Sequence, residues 1–122
     1  MQNPLRIHKV SFKHAFAGFT YSVRTQPNFR FHLLATMVVI LLGIYFSISS
    51  TEWLILVFTI NTVLVAEMIN TSLESMVDLI TLERRLDAKT AKDVSAAMVL
   101  ISATLSVVIA LIIFLPKITN VT

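Results

Sequence analysis

Neither Asp, Glu, Lys nor Arg occurs between Phe31 and Thr51 or between Val94 and Pro116. As a helix, either stretch is long enough to cross roughly 30 Å of hydrocarbon. Composition agrees with that reading: 56% of the residues are hydrophobic and 14% charged, whereas a soluble surface of this size needs roughly a quarter of its residues charged. The missing cover is lipid.

A third apolar stretch, Trp53–Ala66, continues in helical pattern through Glu67, Asn70, Glu74 and Asp78 to Ile80. The pattern predicts an all-α integral membrane protein in one domain, 1–122. Its spans are expected at about 29–48, 52–80 and 88–115, after an amphipathic surface helix at about 4–25. The first apolar run starts some thirty residues in and no small-residue cleavage pattern follows it, so it reads as a span and not as a signal peptide. The connectors are expected at Ser47–Glu52 and Thr81–Asp93.

Orientation follows from the basic residues. Arg6, Lys9, Lys13, Arg24 and Arg30 precede the first span, and Arg84, Arg85, Lys89 and Lys92 lie between the last two. The first connector has no Lys or Arg, and the tail has only Lys117. The positive-inside rule therefore places the N-terminus and the second connector in the cytoplasm. The pI near 9.6 is thus a topology signal, and no nucleic-acid partner is expected. Ahead of the first span, Phe12, Phe16, Phe19 and Val23 share one helical face. That face suits either the headgroup layer or packing against the bundle. Pro27 is expected to break the pattern before the membrane is entered.

Several chemistries are excluded outright. With no cysteine there are no disulfides, thiolate metal sites or cysteine nucleophiles. Two glycines, Gly18 and Gly43, cannot build a glycine-rich phosphate loop. His8, His14 and His32 all lie outside the middle of the spans, which argues against haem ligation and reads as interfacial or structural.

The constellation that carries chemistry is acidic. At about 100° per residue, Glu67, Asn70, Glu74 and Asp78 fall on one stripe of a helix, over roughly 16 Å of its length. A carboxylate in or near hydrocarbon costs several kcal/mol unless it is paired, hydrated or metal-bound, so its default reading is functional. Glu67, the deepest, carries that reading most strongly. Asp78 could equally be solvated or paired with Arg84, Arg85 or Lys89, and Asp93 could cap the last span or pair with Lys92. Carboxylates beside an amide oxygen are hard ligands suited to Mg²⁺, Lys92 with Arg84 or Arg85 could hold phosphates, and a buried carboxylate could serve as a general base. The same parts would serve a small oligomeric cation channel or transporter.

The run Ala66-Glu67-Met68-Ile69-Asn70-Thr71-Ser72-Leu73-Glu74-Ser75-Met76-Val77-Asp78 closely resembles the signature of the small prokaryotic integral-membrane diacylglycerol kinases, which include the undecaprenol kinases. Ala91-Lys92-Asp93 resembles its second piece at the family's spacing, and Thr25-Gln26-Pro27-Asn28-Phe29-Arg30-Phe31-His32 resembles the approach to the family's first span. The resemblance implies a homotrimer in the bacterial inner membrane with active sites shared between subunits. It implies transfer of the γ-phosphate of ATP to the hydroxyl of diacylglycerol or undecaprenol. Glu67 would be the general base and Asn70 would orient the hydroxyl. Glu74 would bind the Mg²⁺ carried by ATP, Lys92 the phosphates, and Asp93 the nucleotide.

Two positions depart from the family's pattern. Gln26 stands where a second metal-binding glutamate is common; its amide oxygen ligates Mg²⁺ but brings no charge. Glu83-Arg84-Arg85 stands where Glu-Tyr-His is usual near the nucleotide base, and the arginines would hold phosphates or anionic lipids instead. These departures keep open a third reading, a catalytically inactive membrane scaffold.

Overall fold

The residue before a proline is driven to extended backbone, and proline itself suits the first turn of a helix, where its missing N–H costs nothing. Gln26 and Pro27 use both effects. Gln26 sits at φ −113°, ψ 99°, ending one helix, and Pro27 starts the next. In the computed structural model, which describes residues 11–120, the order is α1 (Phe12–Thr25), α2 (Pro27–Tyr45), α3 (Ser50–Ile80) and α4 (Leu86–Thr119). The expected start of the first helix near residue 4, with Arg6, His8 and Lys9, lies outside the described residues.

α1 is capped by Ser11, whose hydroxyl accepts the His14 N–H at 3.5 Å. Its apolar stripe divides in two. Phe12 and Phe16 are 90% and 73% exposed, while Phe19 meets the buried Phe29 of α2 edge-on at 5.7 Å between centroids. Packing therefore claims the C-terminal half of the stripe, and the N-terminal half is open to lipid or to a partner.

α2 stops at Tyr45, three residues short of the expected boundary, and α3 starts at Ser50 inside the expected connector. The reason is a capping box. Ser49 Oγ accepts the Glu52 N–H and Glu52 Oε1 accepts the Ser49 N–H, both at 3.1 Å. Such a cap is worth about 1 kcal/mol. It draws Ser50, Thr51 and Glu52 into the helix and leaves a four-residue turn in which Ser47 takes φ 50°, a left-handed conformation costing a β-carbon-bearing residue roughly 1–2 kcal/mol.

The turn closes on Gly43. A β-carbon there would lie 2.7 Å from Trp53 Cη2, 2.9 Å from Cζ2 and 3.1 Å from Ile48 Cδ1. Gly43→Ala is expected to displace the Trp53 ring and to destabilise the protein by about 1–3 kcal/mol through overpacking. A lowered thermal midpoint in micelles checks this, and an unchanged one would show that the indole has room to move. The adjacent core is small: Ile48, Leu56, Ile113 and Phe114, flanked by Phe46, Trp53 and Ile109. It occupies the end of the bundle opposite the acidic stripe.

α3 and α4 pack antiparallel along the longest interface in the molecule. α4 runs through Pro116 to Thr119, beyond the expected limit near 115. Proline in the last turn removes a single helical bond, and the turn is still closed by the Asn120 N–H donating to the Pro116 carbonyl at 3.0 Å. Lys117, expected in a tail, thus lies on the helix, where Nζ meets Glu52 Oε2 at 2.8 Å. At its other end α4 starts at Leu86, so the second connector is only Thr81–Arg85; Lys89, Lys92 and Asp93 sit on helix.

α2, α3 and α4 are each long and apolar enough to cross a membrane. Large apolar side chains such as Met37, Leu41, Phe58, Leu100 and Ile112 are exposed on them, as lipid-facing surfaces require. α3, with 31 residues, is about 46 Å long, and α4, with 34, about 51 Å. Both exceed a hydrocarbon core of roughly 30 Å, so their polar ends extend into the interface.

Candidate active site

The acidic stripe grades from dry to wet along α3. Counting about 1.5 Å per residue from Ser50, Glu67 lies roughly 26 Å along the helix, Glu74 roughly 36 Å and Asp78 roughly 42 Å. Burial follows the same order: Glu67 is 3% exposed, Asn70 and Glu74 are half-buried and Asp78 is exposed. Asn70 Nδ2 donates to Glu74 Oε1 at 3.2 Å, as i,i+4 neighbours on one face do. That bond leaves Asn70 Oδ1 buried with no partner, an acceptor beside a carboxylate.

Glu67 is met from another helix. Nε2 of His32, in the second turn of α2, lies 3.2 Å from Glu67 Oε1. His32 therefore has a specific partner on α3, which its reading as interfacial or structural did not name. No signal within α2 could have found it, because the contact depends on how α2 and α3 pack.

At the wet end, α3, the short connector and the first turns of α4 enclose a cleft of about 660 Å³. Asp78, Glu83, Arg84, Arg85, Lys89, Lys92 and Asp93 all line it, so the residues expected to hold a nucleotide share one wall system. Their pairing differs from expectation. Asp78 Oδ1 accepts from Lys92 Nζ at 2.7 Å, not from Arg84, Arg85 or Lys89. Asp93 pairs with Lys89, one turn earlier, not with Lys92. Successive residues on a helix point about 100° apart, which prevents the Lys92–Asp93 pairing. Arg84 and Arg85 are exposed and make no ion pair among the described residues.

Gln26 caps α2, and its side-chain Nε2 donates to Thr25 Oγ1 at 3.3 Å. Among the described residues no three His, Asp or Glu side chains converge as a metal-ligand cluster. The oxygen donors present, the Glu74 carboxylate and the orphaned Asn70 carbonyl, are of the hard type Mg²⁺ takes. Mg²⁺ commonly keeps its remaining ligands as water and substrate phosphate.

Comparison with known proteins decides what this arrangement belongs to. Residues 13–114 match the family model described as prokaryotic diacylglycerol kinase, a stretch that contains almost all of α1 to α4. The chain belongs to the prokaryotic diacylglycerol kinase family. It is 40% identical over 116 residues to an undecaprenol kinase of Bacillus subtilis, covering 95% of this chain and 94% of that one. It is 36% identical over 108 residues to a diacylglycerol kinase of Synechocystis, covering 88% of this chain and 62% of the relative. A diacylglycerol kinase of Pseudomonas aeruginosa is 29% identical over 91 residues, 75% and 74% of the two chains. Membership makes the protein a lipid kinase with membrane-spanning helices, and the helix that carries Glu67 to Asp78 lies wholly within the matched residues.

Proposed function

We propose that the whole chain works as one kinase domain that moves the γ-phosphoryl group of ATP onto the hydroxyl of a membrane lipid alcohol, with Glu67 as general base. The observation that carries the reading is a buried carboxylate on the same helix whose exposed end forms a cleft with Lys92, Arg84 and Arg85. A lipid hydroxyl arrives from the membrane and a nucleotide from water, and α3 joins the two depths.

In this reading the lipid O–H gives its proton to Glu67 as its oxygen bonds to the γ-phosphorus. The bond from that phosphorus to the β–γ bridging oxygen breaks, and ADP departs. Asn70 orients the hydroxyl, its second Nδ2 hydrogen donating to the lipid oxygen while Glu74 Oε1 takes the first. Lys92, held in place by Asp78, receives the phosphate oxygens, Arg84 adds positive charge at the cleft wall, and Asp93 and Glu83 face the nucleotide. Glu74 would hold Mg²⁺, with Gln26 a neutral oxygen donor toward the same ion. When bound with ATP, that ion neutralises phosphate charge as the transferring group departs. Phosphoryl transfer needs mainly positioning and charge neutralisation, so this sparse set is chemically sufficient.

The cellular setting proposed is the bacterial inner membrane, with the N-terminus and the Thr81–Arg85 turn cytoplasmic, where ATP is. A homotrimer is part of the proposal. It is supported by the exposed small residues Ala96 and Ala97 on α4, which permit close helix approach.

The test is transfer of labelled γ-phosphate from Mg-ATP to diacylglycerol and to undecaprenol in parallel micelle assays. Phosphorylation of undecaprenol in preference to diacylglycerol is expected, since the similarity to an undecaprenol kinase runs nearly end to end in both chains. Preference for diacylglycerol would reverse the substrate assignment. No transfer to either, from folded protein, would favour the inactive scaffold.

A further inference from the structure

A carboxylate taken out of water must find a cation or a donor, or lose its charge. The Glu67 side chain is 4% exposed, yet among the described residues no lysine or arginine pairs with it. Its partner is the His32 imidazole, itself only 16% exposed, with Nε2 at 3.2 Å from Oε1. The contact joins two helices. His32 is fixed on its own helix by the Pro27 start and by Phe29, which is buried against α1. Its ring also packs edge-on to Phe31 at 5.7 Å. Among the described residues a side chain meets Oε1 only, and none holds Oε2.

We propose that His32 is a positioning residue for Glu67: its Nε2 holds Oε1 from the neighbouring helix and leaves Oε2 as the atom that receives the lipid hydroxyl's proton. The proposal rests on the reading of Glu67 as the base. The 3.2 Å approach lies outside hydrogen-bond geometry in this structure, and a small turn of an imidazole carrying hydrogen on Nε2 converts it into a donor of fixed direction. A glutamate with three side-chain torsions has one carboxylate pose among several once that donor engages it. Small misplacement of a reacting group is expensive in rate even when binding is intact. A partner that only offset the buried charge would show itself in stability and leave turnover alone.

The experiment compares His32→Leu, His32→Gln, His32→Asn, Glu67→Gln and the Glu67→Gln/His32→Leu double variant in micelles at saturating lipid. Each is read for kcat, KM for Mg-ATP and thermal midpoint. His32→Leu is expected to lower kcat roughly 10- to 100-fold with KM for Mg-ATP within about twofold. Gln, whose amide N–H reaches about as far as Nε2, should restore kcat to within about threefold of the parent. The shorter Asn should behave as Leu does, and it takes the place of Leu if the latter does not fold. In the Glu67→Gln background, the residual rate should not fall further on changing His32, because the two act as one unit.

Parental kcat in His32→Leu or His32→Asn beside an inactive Glu67→Gln would overturn the proposal and leave Glu67 as the base. A lowered midpoint with kcat intact, or an equal further loss in the double variant, would overturn it too. A fully active Glu67→Gln would remove the base assignment itself and the proposal with it.

Discussion

Glu67→Gln is expected to lower kcat for phosphoryl transfer by about 10³-fold while leaving helical content and micellar mass unchanged. The substitution is nearly isosteric, and the amide oxygen can still meet His32 Nε2, so packing around position 67 is retained. What disappears is the ability to take a proton. None of the other acids can replace it: Glu74 is roughly 10 Å and Asp78 roughly 16 Å farther along α3, and Asp78 is already paired to Lys92. Circular dichroism and sizing establish the fold, and single-turnover transfer of labelled phosphate measures the rate. A residual rate near the parent's would mean that the lipid hydroxyl reacts without help from this carboxylate.

Glu74→Gln should act on the other reactant. A fall of about 10²-fold in kcat/KM for Mg-ATP is expected, together with a higher Mg²⁺ concentration at half-maximal activity and an unchanged KM for lipid. The side-chain amide oxygen of Gln still accepts the Asn70 N–H that Glu74 Oε1 now takes. The change is therefore one of charge, and shape is kept. Mg²⁺ titrations at fixed ATP read the effect directly. An unaltered Mg²⁺ dependence with a raised lipid KM would assign Glu74 to the acceptor instead.

The first and last spans were legible because absence of charge over about twenty residues is a property of the local sequence, and the middle one because a shorter apolar run continued in helical pattern into the acidic stripe. The acidic stripe was legible for a similar reason, since positions 67, 70, 74 and 78 belong to one helix and helical periodicity aligns them. Boundaries were less so. Polar residues from Leu86 to Asp93 look like a connector to any reading that equates helix with hydrocarbon, but a helix continues past the membrane edge wherever its caps and packing allow. The Ser49–Glu52 box was present in the sequence as a Ser-x-x-Glu pattern, and the apolar count concealed it. Side-chain partners were the least legible. His32 with Glu67, Lys92 with Asp78 and Lys117 with Glu52 each join different helices. Their separations are set by how the helices pack, so nothing in either partner's neighbourhood announces the other.

Two of those partnerships stand at opposite ends of the same pair of helices. Glu52 with Lys117 and Asp78 with Lys92 are 26 positions apart on α3, about 39 Å. Rungs at both ends of a ladder stop its rails from sliding: a shift of one helical turn, about 5.4 Å, would break both pairs at once. α3 and α4 are therefore held in one register from both ends. On the other flank of α3, toward α2, the one such cross-helix contact among the described residues is the approach of His32 to Glu67.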